Sequence, residues 1–241
     1  MKRSPGALTV GIVGAGKMGR EIAAAAAARG HAVAWTLGAS SNRNVSGITA
    51  ERVDAVDAVF EFTTPASAPG NLFALARHGA RVVCGTTGWS DELPRVAEAF
   101  RAGGGALVHA TNFSIGVRLL FDVAEHAAAL YSRSGYVPYI VEEHHAAKKD
   151  APSGTAKTLA GAVERGGGIA PTVASVRAGT IPGTHRLVFE SPEDEVEIVH
   201  RARSRAGFAK GAVWAGERIA GRTGVYEFGE ILRQASEGKQ S

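Results

Sequence analysis

The run Glu142-Glu143-His144-His145-Ala146-Ala147-Lys148-Lys149-Asp150-Ala151-Pro152-Ser153-Gly154-Thr155-Ala156 gathers imidazoles, amines, carboxylates and hydroxyls in one short segment. Two chemistries use such a set. Metal ligation needs three or four converging ligands. His144 and His145 are adjacent, and adjacent residues on an extended strand point to opposite faces. No H-E-x-x-H spacing occurs, so no metal is expected. The second chemistry is anion recognition with proton transfer. Ser153-Gly154-Thr155 follows Pro152 and opens a helix, so its amides and hydroxyls face outward as donors to a carboxylate. Lys148 adds a point charge, and a nearby histidine can act as general acid near neutral pH. A capped helix with solvated charges would account for Ser153 or Lys149 singly, but it explains the clustering poorly.

A second constellation lies near the start. Gly14-Ala15-Gly16-Lys17-Met18-Gly19 is G-x-G-x-x-G, directly after an apolar run and at the head of an alanine-rich one. Between strand and helix, such glycines allow a tight turn, approach of the backbone to a pyrophosphate, and contact of helix with strand. A purely structural turn is the alternative. The acidic residue that reads a ribose is expected ~20 residues on. There the chain reads Trp35-Thr36-Leu37-Gly38-Ala39-Ser40-Ser41-Asn42-Arg43, without Asp or Glu. A carboxylate would accept from a 2′-hydroxyl and repel a 2′-phosphate. Its absence, with Ser40, Ser41 and Arg43 present, favours NADPH over NADH, unless Arg43 is only a surface loop residue.

The elements that must position these groups follow from the apolar runs. Leu8 to Val13, Ala32 to Leu37, Ala58 to Phe62, Arg81 to Cys84 and Ala106 to Ala110 read as strands. Helices between them cover Lys17 to Arg29, the stretch ending at His78-Gly79, and Ser90 to about Ala102. This alternation implies right-handed crossovers and a doubly wound parallel sheet, an α/β Rossmann-type dinucleotide domain over residues 1–113. A long helix then spans Ile115 to Tyr131, a strand Tyr139 to His144, and a helix Ser153 to about Arg165. Val173 to Arg177, His185 to Glu190 and Glu195 to His200 follow as strands, the last two joined at Pro192-Glu193-Asp194. Residues 114–211 thus form a smaller α+β domain with a mixed sheet. The tail, 212–241, reads as helical from about Ala212 to Gln234 and is expected to pack back on the first domain.

Composition removes several alternatives. Of 241 residues, 45% are hydrophobic and 21% charged, which excludes wholesale disorder. No run approaches the ~20 apolar residues of a membrane span. The basic start, Met1-Lys2-Arg3, precedes a segment broken by Gly11, Gly14 and Gly16, which is not a secretory leader. The one cysteine, Cys84, excludes an intrachain disulfide and a cysteine zinc cluster. A cytoplasmic protein is expected. The net charge of +4 and the lack of basic runs with interleaved aromatics argue against nucleic acid as partner. Arg201, Arg203 and Arg205 would share one face of a strand, to serve an anionic small molecule, a subunit interface or merely a solvated surface.

The run E-x-H-H-x-x-K-x-D-A-P-S-G-T-A closely resembles the signature of the dihydrodipicolinate (4-hydroxy-tetrahydrodipicolinate) reductase family of lysine and diaminopimelate biosynthesis. Phe62-Thr63-Thr64-Pro65, Gly85-Thr86-Thr87-Gly88, Asn112-Phe113-Ser114 and Phe208-Ala209-Lys210-Gly211-Ala212 extend the resemblance, in the family's order, over nearly the whole chain. It implies that His144 is the proton donor and Lys148 a second catalytic residue. His145, Ser153, Gly154, Thr155 and Thr87 would hold a dicarboxylate substrate. Gly14 to Gly19, Gly85, Thr86, Thr87, Ala110, Thr111, Asn112 and Phe113 would contact the cofactor. It also implies a homotetramer built through the second domain's sheet, with the C-terminal helix completing the first domain.

Three departures stand out. The glycine loop is one residue shorter than the family's G-x-G-G-x-M-G form, the ribose-reading acid is missing, and Ala146 and Ala147 replace bulkier, often basic residues. The resemblance implies hydride transfer to a cyclic imine dicarboxylate with His144 supplying a proton, and domain closure about hinges near Phe113–Ser114 and Gly211. A sugar or amino-acid dehydrogenase would share the architecture, but the sugar family's E-K-P lysine is absent. A dinucleotide sensor would keep the glycine loop without needing the His/Lys/Ser-Gly-Thr cluster.

Overall fold

The computed structural model describes residues 6–237. The basic residues 1–5, read above as no leader, and the last residues of the tail, 238–241, lie outside the described residues. β1 (Thr9–Val13) is buried along its whole length, and α1 (Lys17–Ala28) owes its helicity to its alanines. The alternation continues through β2 (Ala32–Leu37), α2 (Ala50–Asp54), β3 (Ala58–Glu61), α3 (Ala68–Arg77), β4 (Arg81–Cys84), α4 (Leu93–Ala102) and β5 (Ala106–His109). Then come α5 (Ile115–Tyr131), β6 (Val137–His144), α6 (Gly154–Gly167), β7 (Thr172–Arg177), β8 (Thr184–Glu190) and β9 (Glu195–Arg201). The chain ends with α7 (Ala206–Ile219), β10 (Gly224–Glu227) and α8 (Phe228–Glu237).

Two compact units result. One runs up to Phe113 and resumes at Phe208; the other is Ser114–Gly207. In the first, six strands lie in the order β10-β5-β4-β3-β1-β2, each neighbouring pair parallel. This is a doubly wound, Rossmann-like sheet. Its order reverses at β1, flanked by β2 and β3, which sets the binding crevice at the C-terminal ends of these strands. Leu72, Leu75, Phe100 and Leu107 fill the core, each contributing about 1.5–3 kcal/mol by burial. The second unit has the mixed four-stranded sheet β7-β6-β8-β9. β6 pairs parallel with β7 across α6 and antiparallel with β8, which forms a hairpin with β9. Ile140, Leu187 and Phe189 from its strands pack against Val117 and Leu120 of α5 and Leu159 of α6.

Four expectations change. The tail is not wholly helical, because β10 pairs with β5 from Gly224↔Ala106 to Glu227↔His109 and covers the sheet edge. Four residues are too few for a period to show. The chain returns to the first unit at Phe208 rather than after Gly211. Gly211 is no hinge: it lies within α7, and a Cβ there would stand 1.7 Å from the carbonyl oxygen of Phe113 in the same unit. Finally, Arg201 ends β9 while Arg203 and Arg205 lie beyond it, so the three do not share a strand face. No helix among the described residues is long and apolar enough to cross a membrane.

Candidate active site

The glycine loop divides its labour in space. Gly14 takes φ +118° and donates its N–H to the Leu37 carbonyl at 2.8 Å, and a Cβ there would meet the Phe62 carbonyl at 2.0 Å. A Cβ on Gly19 would meet the Gly14 carbonyl at 1.8 Å, so the third glycine seats helix on turn. Gly16 differs: nothing lies within 4 Å of its Cβ position, and α1 has no side-chain cap there. The first amides of α1 therefore face open space, which suits a pyrophosphate. A cleft of about 590 Å³ adjoins them, lined among others by Ala15, Gly16, Arg43, Thr63 and Asn71. These residues fit a dinucleotide. Lys17 and Met18, on the first turn of α1, are not among the residues lining this cleft.

The loop between β2 and α2 forms one wall. Asn44 and Val45 take φ of 49° and 58°, a conformation that costs a β-branched valine energy and so needs outside support. Asn42 supplies it, donating from Nδ2 to Asn71 Oδ1 (2.8 Å) and accepting the Gly47 N–H through Oδ1 (3.1 Å). Arg43 faces the cleft within this loop. Ser41, a candidate phosphate contact, instead accepts the Gly38 N–H at 2.9 Å and shapes the loop.

At the end of β3, Glu61 is fully buried. Its carboxylate accepts from Thr63 Oγ1, Asn71 Nδ2 (3.1 Å), Cys84 Sγ (3.3 Å) and Thr86 Oγ1 (2.7 Å). Burial, then the Glu61 charge, push the Cys84 thiol well above its ordinary pKa. Gly85 passes under the Phe62 ring, where a Cβ would come within 2.1 Å. Thr86, Thr87, Ala110 and Thr111 line a smaller cleft of about 70 Å³ in the same unit. Asn112 follows them in the chain. Phe113 is a core residue, its ring 6.0 Å from that of Phe62 and 4.9 Å from that of Phe228, so only its backbone is available to a cofactor.

In the second unit, strand alternation turns Glu142 and His144 inward from β6. Register sets His185 of β8 opposite Glu142, His200 of β9 opposite His185, and Arg177 of β7 beside His144. Glu142 Oε1 accepts from Arg177 Nη2 (2.6 Å) and from the Ser153 N–H (3.3 Å), while Oε2 is in ion-pair contact with His144 Nδ1. Burial alone would raise the Glu142 pKa. Hydrogen bonds from Arg177 and Ser175, with the charges of His144 and Arg177, bring it down to about 2. Burial holds His144 below the ordinary imidazole value against the pull of Glu142. Burial, then the neighbouring His144, lower His185 to about 4. Gly183, with φ +146°, would place a Cβ 3.0 Å from His144 Nε2. Its bare backbone keeps that nitrogen clear.

Lys148 lies on the following loop with Nζ 2.7 Å from Asp150 Oδ1. Burial would raise the Asp150 pKa, but Lys148 and the Gly154 N–H hold it below the usual carboxylate range. Ser153 caps α6, its Oγ accepting the Ala156 N–H at 3.2 Å. That hydroxyl serves the helix, and Gly154, with nothing within 4 Å of its Cβ position, turns its N–H to the Asp150 carboxylate. His145 is half-buried on the loop after β6.

Sequence reasoning missed Glu142, Arg177, His185, Gly183 and Glu61. Only Glu142 carried a local signal, its i, i+2 spacing to His144; the others depend on strand register. Ligand atoms of Glu142, His144 and His185 lie within 4.8 Å of one another, a geometry a cation could use. Arg177 already occupies one oxygen of that carboxylate and sets a fixed positive charge beside it, which disfavours a metal ion.

Cleft and fold together fit a dinucleotide-dependent oxidoreductase, with a cluster of titratable side chains on the second unit. A family model described as Dihydrodipicolinate reductase, N-terminus matches residues 8–113, and another, Dihydrodipicolinate reductase, C-terminus, matches residues 116–232. The chain belongs to the dihydrodipicolinate reductase family. The 4-hydroxy-tetrahydrodipicolinate reductase of Christiangramia forsetii is 31% identical over 239 residues, spanning 93% of this chain and 98% of its own. That of Xanthomonas campestris is 39% identical over 227 residues, spanning 90% and 94%. The solved dipicolinate-bound dihydrodipicolinate reductase from a Paenisporosarcina species shares the fold, with a TM-score of 0.77 at 22% identity over 94% of this chain and 100% of that one.

Proposed function

We infer that the chain reduces 4-hydroxy-tetrahydrodipicolinate to tetrahydrodipicolinate with NAD(P)H, releasing water and NAD(P)⁺, in lysine and diaminopimelate biosynthesis. The observation that carries this reading is His144: Nδ1 set against the buried Glu142, Nε2 kept clear by Gly183, and Lys148 and the start of α6 close by in sequence. Bound nicotinamide supplies the hydride. The chain's residues supply the rest. Gly154 and Thr155 at the head of α6, with His145 and Lys148, hold the substrate's carboxylates, and Thr87 of the first unit is assigned to the same ligand. Substrate anions favour the His144 imidazolium against its burial, so Nε2 donates its proton when negative charge develops on the ring nitrogen. Such a donor accelerates reactions by roughly 10²- to 10⁴-fold.

NADPH is the preferred cofactor in this reading. Arg43 faces the cleft and no Asp or Glu is among its lining residues, so a 2′-phosphate meets a cation and no carboxylate. Gly14, Ala15, Gly16, Gly85, Thr86, Thr87, Ala110, Thr111 and Asn112 contact the dinucleotide, with Lys17 and Met18 contributing through the head of α1. The exposed Val137 and Val176 on β6 and β7 support assembly as a homotetramer through that sheet. Complementation tests the function. Expression in a bacterium lacking this reductase should restore growth without diaminopimelate, and a His144→Gln chain made at the same level should not. Failure of the unaltered chain to support growth overturns the assignment.

A further inference from the structure

Glu142 is fully buried and touches three parts of the second unit at once. Its Oε1 accepts from Arg177 on β7 and from the backbone N–H of Ser153 at the head of α6. Its Oε2 meets His144 Nδ1. Arg177 is itself fixed, since Nη1 donates to the Val176 carbonyl at 2.8 Å and Nη2 also donates to the Asp150 carbonyl. A guanidinium held at several points cannot follow a rotating carboxylate, so Glu142 keeps one rotamer.

Resting on the reading of His144 as proton donor, we propose that Glu142, locked by Arg177, is the positioning residue through which His144 acts. It holds the Nδ1 proton, and so leaves Nε2 as the nitrogen that exchanges its proton with substrate. An asparagine- or glutamine-type amide could not do this. Its N–H₂ group would face Nδ1 and select the opposite tautomer.

The test is a double-mutant cycle on kcat. Glu142→Gln should lower kcat about 100-fold, with NADPH Kd and substrate KM changed less than about twofold. His144→Gln should lower kcat comparably, and adding Glu142→Gln to it should cost nothing more, because the carboxylate acts only through the ring. A further loss in the double variant would mean that Glu142 merely supports the fold, and would overturn the proposal. So would an unchanged kcat in Glu142→Gln beside a large loss in His144→Gln. No loss in His144→Gln would instead remove the underlying proton-donor reading. Nitrogen NMR of histidine-labelled protein gives a second readout: His144 carries Nδ1–H in the parent and Nε2–H in Glu142→Gln. If Glu142→Gln does not fold, Arg177→Lys replaces it: the carboxylate remains and Nδ1–H persists, but loss of the several-point guanidinium lock should lower kcat by a smaller factor; an unchanged kcat there contradicts the proposal.

Discussion

Thr86 Oγ1 donates to Glu61 Oε2 at 2.7 Å while accepting the N–H of Thr63, also at 2.7 Å. One buried hydroxyl thus joins the loops that leave β3 and β4, and a buried carboxylate anchors both beneath the dinucleotide cleft. Glu61→Ala strips four side-chain donors of their acceptor. Each unsatisfied buried group costs about 1–3 kcal/mol, so the variant should melt markedly lower and bind NADPH and NADH more weakly by similar factors. Calorimetry and fluorescence titration measure the two effects.

The three loop glycines should separate under substitution. Gly14→Ala and Gly19→Ala force a Cβ against backbone carbonyls at 2.0 and 1.8 Å, so both should lose stability before binding is considered. Gly16→Ala meets nothing and should fold with at most about 1 kcal/mol lost at the helix cap. Its methyl group would nevertheless fill the approach of the pyrophosphate, and NADPH binding should fall at least tenfold. Wild-type affinity in folded Gly16→Ala would place the phosphates elsewhere.

Stability should depend on His185 in mild acid. Its pKa is depressed to about 4 in the folded chain, against about 6.5 unfolded. The unfolded state therefore gains a proton that the folded state refuses. Its contribution is fully present above about pH 6.5 and is lost as pH falls toward 4. Glu142, depressed to about 2, adds a loss that begins below about pH 4.3. The melting temperature of His185→Gln should be flatter than that of the parent between pH 6.5 and 4.

Arg43 is the test of cofactor choice. Arg43→Ala should weaken NADPH by about tenfold or more and leave NADH almost unchanged, as measured by fluorescence titration. Equal losses would mean that another group holds the 2′-phosphate.

What the sequence made legible was local. The strands from β1 to β5 and the helices between them, apart from the short α2, follow from apolar runs and glycine turns. α5 matches its expected span, Ile115 to Tyr131. The His144–Thr155 cluster was visible because its members are neighbours in the chain. Arg177, His185 and Glu61 were not, since they join their sites through strand pairing or through turns from other strands, which no local period reports. β10 escaped for its shortness, and Gly211 looked like a hinge only because its tight contact with Phe113 cannot be read from residue type.

The most direct measurement follows nicotinamide absorbance at 340 nm with substrate generated in place from pyruvate and aspartate semialdehyde by the preceding synthase. NADPH and NADH are supplied in parallel. Substrate-dependent oxidation, faster with NADPH and reduced about 100-fold or more in His144→Gln, is the predicted result. Tight NADPH binding without oxidation of either cofactor would contradict the account and point to a dinucleotide sensor.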